Sequence, residues 1–279
     1  MLSSIDLMLT KAYHQKYAIP HFNINNLESA KYILEACEEV SSPVIIGVSE
    51  SAIKYMGGYN VVAKMVQSLI TDLELTIPVG LLLDHGSSFE SCERALAAGF
   101  NGVMINADNS VINEHIELTK KIVELAEKYN AYVEGEVGHI GSAEQTGTVT
   151  DVNDAILLAK STKINALAPS LGSVHGIYES AATIDFDKMV MLNDNIKLPL
   201  VMHGGSGLPD HIIIKSIENG VAKINVNTDF QIAWAQAIKK YIENNPNVYD
   251  PRKIIGAGQS AIKEVAKQKI LLFGSNYKS

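Results

Sequence analysis

Short apolar runs alternate with helical patterns eight times along this chain, and that alternation leaves few folds open. Each run is almost continuously apolar, as a strand buried on both faces is. The strands read from the sequence are Ala18–Ile24, Pro43–Ser49, Pro78–Asp84, Gly102–Asn106, Ala131–Val137, Ala166–Leu171, Leu198–Met202 and Ala222–Val226. The helices that follow them are Leu27–Val40, Tyr59–Leu73, Phe89–Ala98, Ile112–Tyr129, Asn153–Lys160, Phe186–Asn193, Asp210–Asn219 and Phe230–Asn244. Eight such units in 279 residues predict an α/β fold, a single (β/α)8 TIM barrel spanning 1–279 as one domain. An extra N-terminal helix, Ser4–Lys16, is expected to cover the bottom of the barrel, and a C-terminal helix, Arg252–Lys269, to close the chain. A doubly wound open sheet is the competing arrangement. It is disfavoured because no glycine fingerprint loop follows strand one.

In such a barrel, active residues sit where strands run into the following loops. Polar residues stand at nearly every one of those ends: Asn23, Ser49, Asp84-His85, Asn106, Glu134 and Glu136, His175, His203 and Asn225. One histidine at a rim reads as structural, since polar groups there find partners easily. Three of them, His85, His175 and His203, can converge, and three imidazoles with an open fourth position suit a catalytic divalent metal. His14, His21, His115 and His211 lack that placement and read as structural or solvent-facing, while His139, at the start of the strand-five loop, is left unassigned. The stretches Gly204-Gly205-Ser206-Gly207 and Asn225-Val226-Asn227-Thr228 each lead from a strand into a helix. Small residues at a helix start expose backbone N–H groups to an anion, and the loops after strands seven and eight are where these barrels hold phosphate.

The formal net charge is −8, with no basic stripe, which argues against nucleic acid or an anionic membrane as partner. The N-terminus lacks a secretory pattern and no apolar run is long enough to span a bilayer, so a cytoplasmic protein is expected. Cys37 and Cys92 both lie in helical patterns and do not suggest a disulfide scaffold.

Together these motifs resemble the class II, metal-dependent fructose-bisphosphate and tagatose-bisphosphate aldolases over essentially the full length. The segments that carry the resemblance are Val48–Gly58, Leu83-Asp84-His85, Glu134-Gly135-Glu136-Val137-Gly138, Val174-His175-Gly176, His203–Gly207 and Lys223–Thr228. The resemblance implies Zn2+ on His85, His175 and His203, with Co2+ or Mn2+ also accepted by such a site and room for a monovalent cation near the phosphate. It implies a phosphorylated ketose substrate whose ketone and adjacent hydroxyl meet the metal, which acts as a Lewis acid. Asp84 matches the residue that takes the C4 hydroxyl proton. Glu144 matches the carboxylate that moves a proton at the dihydroxyacetone carbon. Gly176, Gly204, Gly205, Ser206, Asn225, Val226, Asn227 and Thr228 match positions around the dihydroxyacetone phosphate half, with Asn225 also acting in catalysis. Asn23 and Ser49 match positions near the other half, and Arg252 a basic residue for the far phosphate. Family members are homodimers or homotetramers, and one of those is implied here.

Three departures bear on the substrate. Asn106 replaces an aspartate that, with the glutamate matching Glu136, serves a second metal position in some members, and an amide holds a divalent ion less well. Glu179 stands where many fructose-type members have a lysine. The lid reads Gly141-Ser142-Ala143-Glu144-Gln145, with less charge than usual. Tagatose 1,6-bisphosphate or another phosphoketose is therefore the alternative substrate. A Schiff-base enzyme would need a lysine at an inner strand end. Lys223 is the nearest candidate, and the sequence shows no cluster of partners around it. A non-catalytic metal- and phosphosugar-binding barrel would have no need of Asp84, Glu144 and Asn225.

Overall fold

The computed structural model describes residues 1–106, 111–142, 148–178 and 183–279. Its strands are β1 (Ile19–Asn23), β2 (Val44–Ser49), β3 (Val79–Gly86), β4 (Gly102–Ile105), β5 (Tyr132–Val137), β6 (Gly141–Ser142), β7 (Ala166–Pro169), β8 (Val174–His175), β9 (Leu200–Met202) and β10 (Val221–Val226). All but β6 and β8 close into a parallel barrel in the order β1-β10-β9-β7-β5-β4-β3-β2, so the predicted barrel forms, with β1 sealing against β10. The remaining two strands pair with each other above it.

Local signals fix the helix ends. Asn26 caps Leu27–Glu39 by accepting from Ser29 N at 2.9 Å, while Ser29 Oγ accepts from Asn26 N at 3.2 Å, a reciprocal box that satisfies two otherwise orphaned donors. Gly99, at φ 106°, ends Phe89–Ala98 in the left-handed conformation that glycine adopts without strain.

The barrel interior is split between apolar and polar halves. At the bottom, Ile5, Met8, Leu9 and Ala12 of the N-terminal helix Ile5–Gln15 pack against Ile19, Ile45, Leu82, Tyr132, Ala166, Val201 and Ala222. Gly80 and Gly102 make this plug fit: a Cβ at either would come within 2.5 Å and 2.8 Å of Ile5. Above the plug, the interior is filled by His21, Asp84, Glu134, His203, Lys223 and Asn225, all buried. The larger apolar core lies between the strands and the outer helices.

Three features differ from the sequence reading. A short helix, Glu50–Met56, follows β2 directly, with Ser49 Oγ accepting from Ala52 N at 3.3 Å as its cap. The terminal helix is two, Pro251–Gly256 and Gln259–Phe273. The break falls where Trp234 packs over Gly258, since a Cβ there would stand 1.8 Å from its Cδ1. And His175 lies beyond the end of β7, on β8 rather than on a barrel strand.

Candidate active site

Successive residues of a strand point to opposite faces, so Asp84 and His85 should not both face one site. Here β3 breaks its register against β4 between Leu83 and Gly86, and His85 takes φ 56°, the left-handed region. The kink turns His85 back toward the barrel mouth while Asp84 stays inside. Such a conformation costs a non-glycine residue about 1–2 kcal/mol and recurs where function demands it.

His85, His175 and His203 do converge, each offering a ring nitrogen within 4.8 Å of the others. Hydrogen bonds fix two of the tautomers. His85 Nδ1 donates to Asn106 Oδ1 at 2.8 Å, which leaves its lone pair on Nε2. His203 Nε2 donates to Glu134 Oε1 at 3.0 Å, which leaves its lone pair on Nδ1. Those two nitrogens face each other at 3.2 Å. Asn225 Nδ2 stands 3.4 Å from both nitrogens of His203. Nitrogens each about 2.0–2.1 Å from a tetrahedral ion stand about 3.3 Å apart, so the donor set fits a divalent metal. Burial, with its imidazole neighbours, pushes His175 down to about 3, and burial also lowers His203, so both are neutral and ready to ligate. Burial lowers His85 too, but the Asp84 and Glu136 carboxylates outweigh it and raise it overall.

Asp84 sits beside this cluster. Its Oδ2 accepts from Asn23 Nδ2 at 2.7 Å and its Oδ1 from Asn225 Nδ2 at 3.4 Å. Burial works against its charge, yet the positive charge of His85 foremost, with that of Lys223, holds it well below the usual carboxylate range. Glu136 stands behind His85, with Oε2 3.8 Å from Nδ1, rather than among the three converging groups.

Two buried groups carry more than the sequence suggests. Glu134 and Lys223 are fully buried, and Lys223 Nζ donates to both Glu134 oxygens at 3.0 and 2.8 Å. Tyr132 Oη donates to Glu134 Oε2 at 2.7 Å. Burial would raise the Glu134 carboxyl, but Lys223 and His203 bring it down to about 2. Lys223 thus has a buried carboxylate partner that the sequence reading did not supply, and its amine has no exposed surface. The alternation of strand positions would have revealed this pair. Residues 134 and 223 both point inward, and a buried lysine needs a carboxylate.

A cavity of about 260 Å³ opens over the cluster. Asn23, Ser49, Asp84, His85, His175, Gly176, Gly204, Ser206, Asn225, Asn227 and Thr228 line it. Gly204, at φ 68°, passes so close to β8 that a Cβ would meet Val174 O at 2.3 Å. Tyr178 Oη pins the same loops together, donating to Gly204 O at 2.8 Å and accepting from Val174 N at 3.1 Å. Ser206 Oγ accepts from Asn227 N and Asp229 N at 3.3 Å, which draws the glycine loop onto the start of helix Thr228–Asn244. Gly205 and Val226 serve through the backbone: Gly205 N donates to Asn225 O at 2.9 Å, and the Val226 side chain is in the outer core. Arg252 is elsewhere, exposed on helix Pro251–Gly256 with its guanidinium on Asp250 at 2.9 Å. Glu144 and Glu179 lie outside the described residues.

The chain is similar to known proteins over its full length. The family model described as "Fructose-bisphosphate aldolase class-II" matches residues 3–278. A fructose-bisphosphate aldolase of Geobacillus stearothermophilus is 46% identical over 283 residues, covering 100% of this chain and 99% of the relative. One from Staphylococcus aureus is 46% identical over 280 residues, covering 99% and 98%. Among solved structures, the YdjI aldolase of Escherichia coli K12 superposes with a TM-score of 0.87 at 32% identity, covering 100% of this chain and 99% of that one.

Proposed function

The chain belongs to the class-II fructose-bisphosphate aldolase family, and on that premise we propose that it reversibly cleaves fructose 1,6-bisphosphate to dihydroxyacetone phosphate and glyceraldehyde 3-phosphate. His85, His175 and His203 would hold one divalent ion, Zn2+ being the first choice and Co2+ or Mn2+ also suiting three imidazoles. The observation that carries the reading is the convergence of the His85, His175 and His203 ring nitrogens within 4.8 Å of one another, beside the buried Asp84 carboxylate. When bound, the ion supplies Lewis-acid polarisation of the substrate ketone.

The chain's own groups do the rest. Asp84, held as an anion, takes the proton of the C4 hydroxyl as the C3–C4 bond breaks, and returns it to the aldehyde oxygen in condensation. Glu144 delivers the proton to the dihydroxyacetone carbon. The backbone N–H groups of Gly176, Gly204, Ser206 and Thr228, the last at the start of helix Thr228–Asn244, would meet the nearer phosphate. Asn225 Oδ1 and Asn227 Oδ1 are buried without partners among the described residues, which suits them to accept from substrate hydroxyls. Asn23 and Ser49, which line the cavity, would meet the aldehyde half of the substrate. Glu136 backs His85, and Arg252 meets the far phosphate in a neighbouring copy within a homodimer or homotetramer. A cytoplasmic enzyme fits this role, and no helix among the described residues is long and apolar enough to cross a membrane.

The test is triose phosphate release from fructose 1,6-bisphosphate and tagatose 1,6-bisphosphate in parallel, with and without EDTA. Chelator-sensitive release from the first is expected, and the ratio reports the preferred C4 configuration. No release from either substrate by zinc-loaded protein would overturn the assignment.

A further inference from the structure

We propose that His21 is a positioning residue for Asp84, a neutral N–H donor set beneath the carboxylate that receives the substrate's proton. The proposal rests on the reading of Asp84 given above. His21 lies on β1 with its side chain inside the barrel and no exposed surface. Its ring occupies the space that a side chain at position 47 would take. A Cβ on Gly47 would fall 1.7 Å from His21 Nε2 and 2.5 Å from both Cδ2 and Cε1. Neighbouring β2 therefore gives up a side chain to admit this imidazole.

A residue needed only to fill that volume would be apolar. Neither Nδ1 nor Nε2 of His21 has a hydrogen-bond partner among the described residues, and an unpaired buried donor is costly. Asp84 Oδ2 stands 3.8 Å from Nε2. That gap is too long for a hydrogen bond and too short for a bridging water, which needs about 4.5 Å or more between its partners. A carboxylate displacement of about 1 Å closes it. Asn23, two residues along the same strand face, already donates to the same oxygen at 2.7 Å. β1 thus aims two donors at Oδ2, while Oδ1, which Asn225 reaches only at 3.4 Å, is the oxygen that takes the proton. Burial first, and the Lys223 charge after it, push His21 down to about 3, so it stays a neutral donor across the working range.

The experiment compares His21→Leu, which keeps the bulk and loses the donor, with His21→Gln, which keeps an N–H. Each is zinc-loaded and assayed for fructose 1,6-bisphosphate cleavage, for metal content, for unfolding of the metal-free form, and for solvent exchange of the dihydroxyacetone phosphate C–H, which does not draw on Asp84. For His21→Leu, cleavage kcat falls about 10-fold to 100-fold, the loss expected for a hydrogen bond to a charged group. KM, metal content and exchange hold, and thermal stability is unchanged or higher. His21→Gln recovers most of kcat. The proposal is overturned if His21→Leu cleaves at the wild-type rate, or if cleavage, exchange and metal content fall together in both variants. Asp84→Asn is the control: were it to cleave normally, the reading of Asp84 itself would fail, whatever the His21 variants do.

Discussion

Glu134→Gln tests how the barrel interior supports the metal centre. The carboxylate accepts four hydrogen bonds, from His203 Nε2 and Lys223 Nζ on Oε1 and from Tyr132 Oη and Lys223 Nζ on Oε2. An amide of the same shape cannot replace it, because its NH2 meets the Lys223 ammonium whichever way it is flipped. Removing one partner of a fully buried ion pair costs about 3–5 kcal/mol. For a chain of this size that is a fall of roughly 6–20 °C in the unfolding midpoint. The assay is thermal unfolding of the chelated protein, so that metal binding does not mask the effect. Chelator competition then gives the metal affinity, expected to drop about 10-fold to 100-fold because His203 loses its charged acceptor. Adding Lys223→Met should restore at least half of the lost stability, since the glutamine can then accept from His203 and donate to Tyr132. A midpoint for Glu134→Gln within about 2 °C of wild type would refute the argument, as would a double variant less stable than the single one.

Other predictions follow from the same geometry. His203→Ala should lower bound metal and cleavage together, read by elemental analysis alongside turnover; full metal retention would remove His203 from the ligand set. Asn106→Leu frees the His85 tautomer and should weaken metal binding about 10-fold or more, with dissociation kinetics under chelator as the measure. Gly47→Ala forces a methyl group into the His21 ring and should cost about 1–3 kcal/mol in denaturant unfolding, a loss that Gly47→Ala with His21→Ala largely relieves. In acid the metal-free protein should weaken early. His21 and His175 both sit near 3 when folded, against 6.5 when free, so protonation favours the unfolded chain. Their contribution is fully present above about pH 6.5 and is lost toward pH 3, at about 1.4 kcal/mol per pH unit per histidine. A flat stability profile between pH 6.5 and 4 would contradict this.

The barrel and most of its mouth are legible in the sequence because apolar runs mark strands and strand ends mark the site. His85, His203, Asp84 and Asn225 needed only that rule. His175 was harder, because Gly172 and Ser173 carry the chain off β7 and onto a separate short strand, a detour that no periodicity records. His21, Glu134 and Lys223 were underestimated for another reason. Glu134 reads as a rim group and His21 as structural or solvent-facing, yet all three sit below the rim, where only the inward-facing register of each strand tells which groups meet. The left-handed turn at His85 has no glycine to announce it. Helix Glu50–Met56 was missed because Ser-Glu-Ser-Ala reads as loop until Ser49 is seen to cap it.

The plug at the foot of the barrel carries a consequence for how the chain is assembled. Helix Ile5–Gln15 precedes every strand, yet the surface it docks on draws residues from β1 through β10, Ile19 and Ala222 among them. Its berth is complete only after the sheet has curled and β1 has zipped to β10. A segment made early is thus buried late, and its apolar face waits exposed while some 200 residues of sheet and helix are laid down, a separation whose closure slows folding. Agents that capture short amphipathic helices should therefore compete best with this barrel during synthesis, before the bottom is sealed.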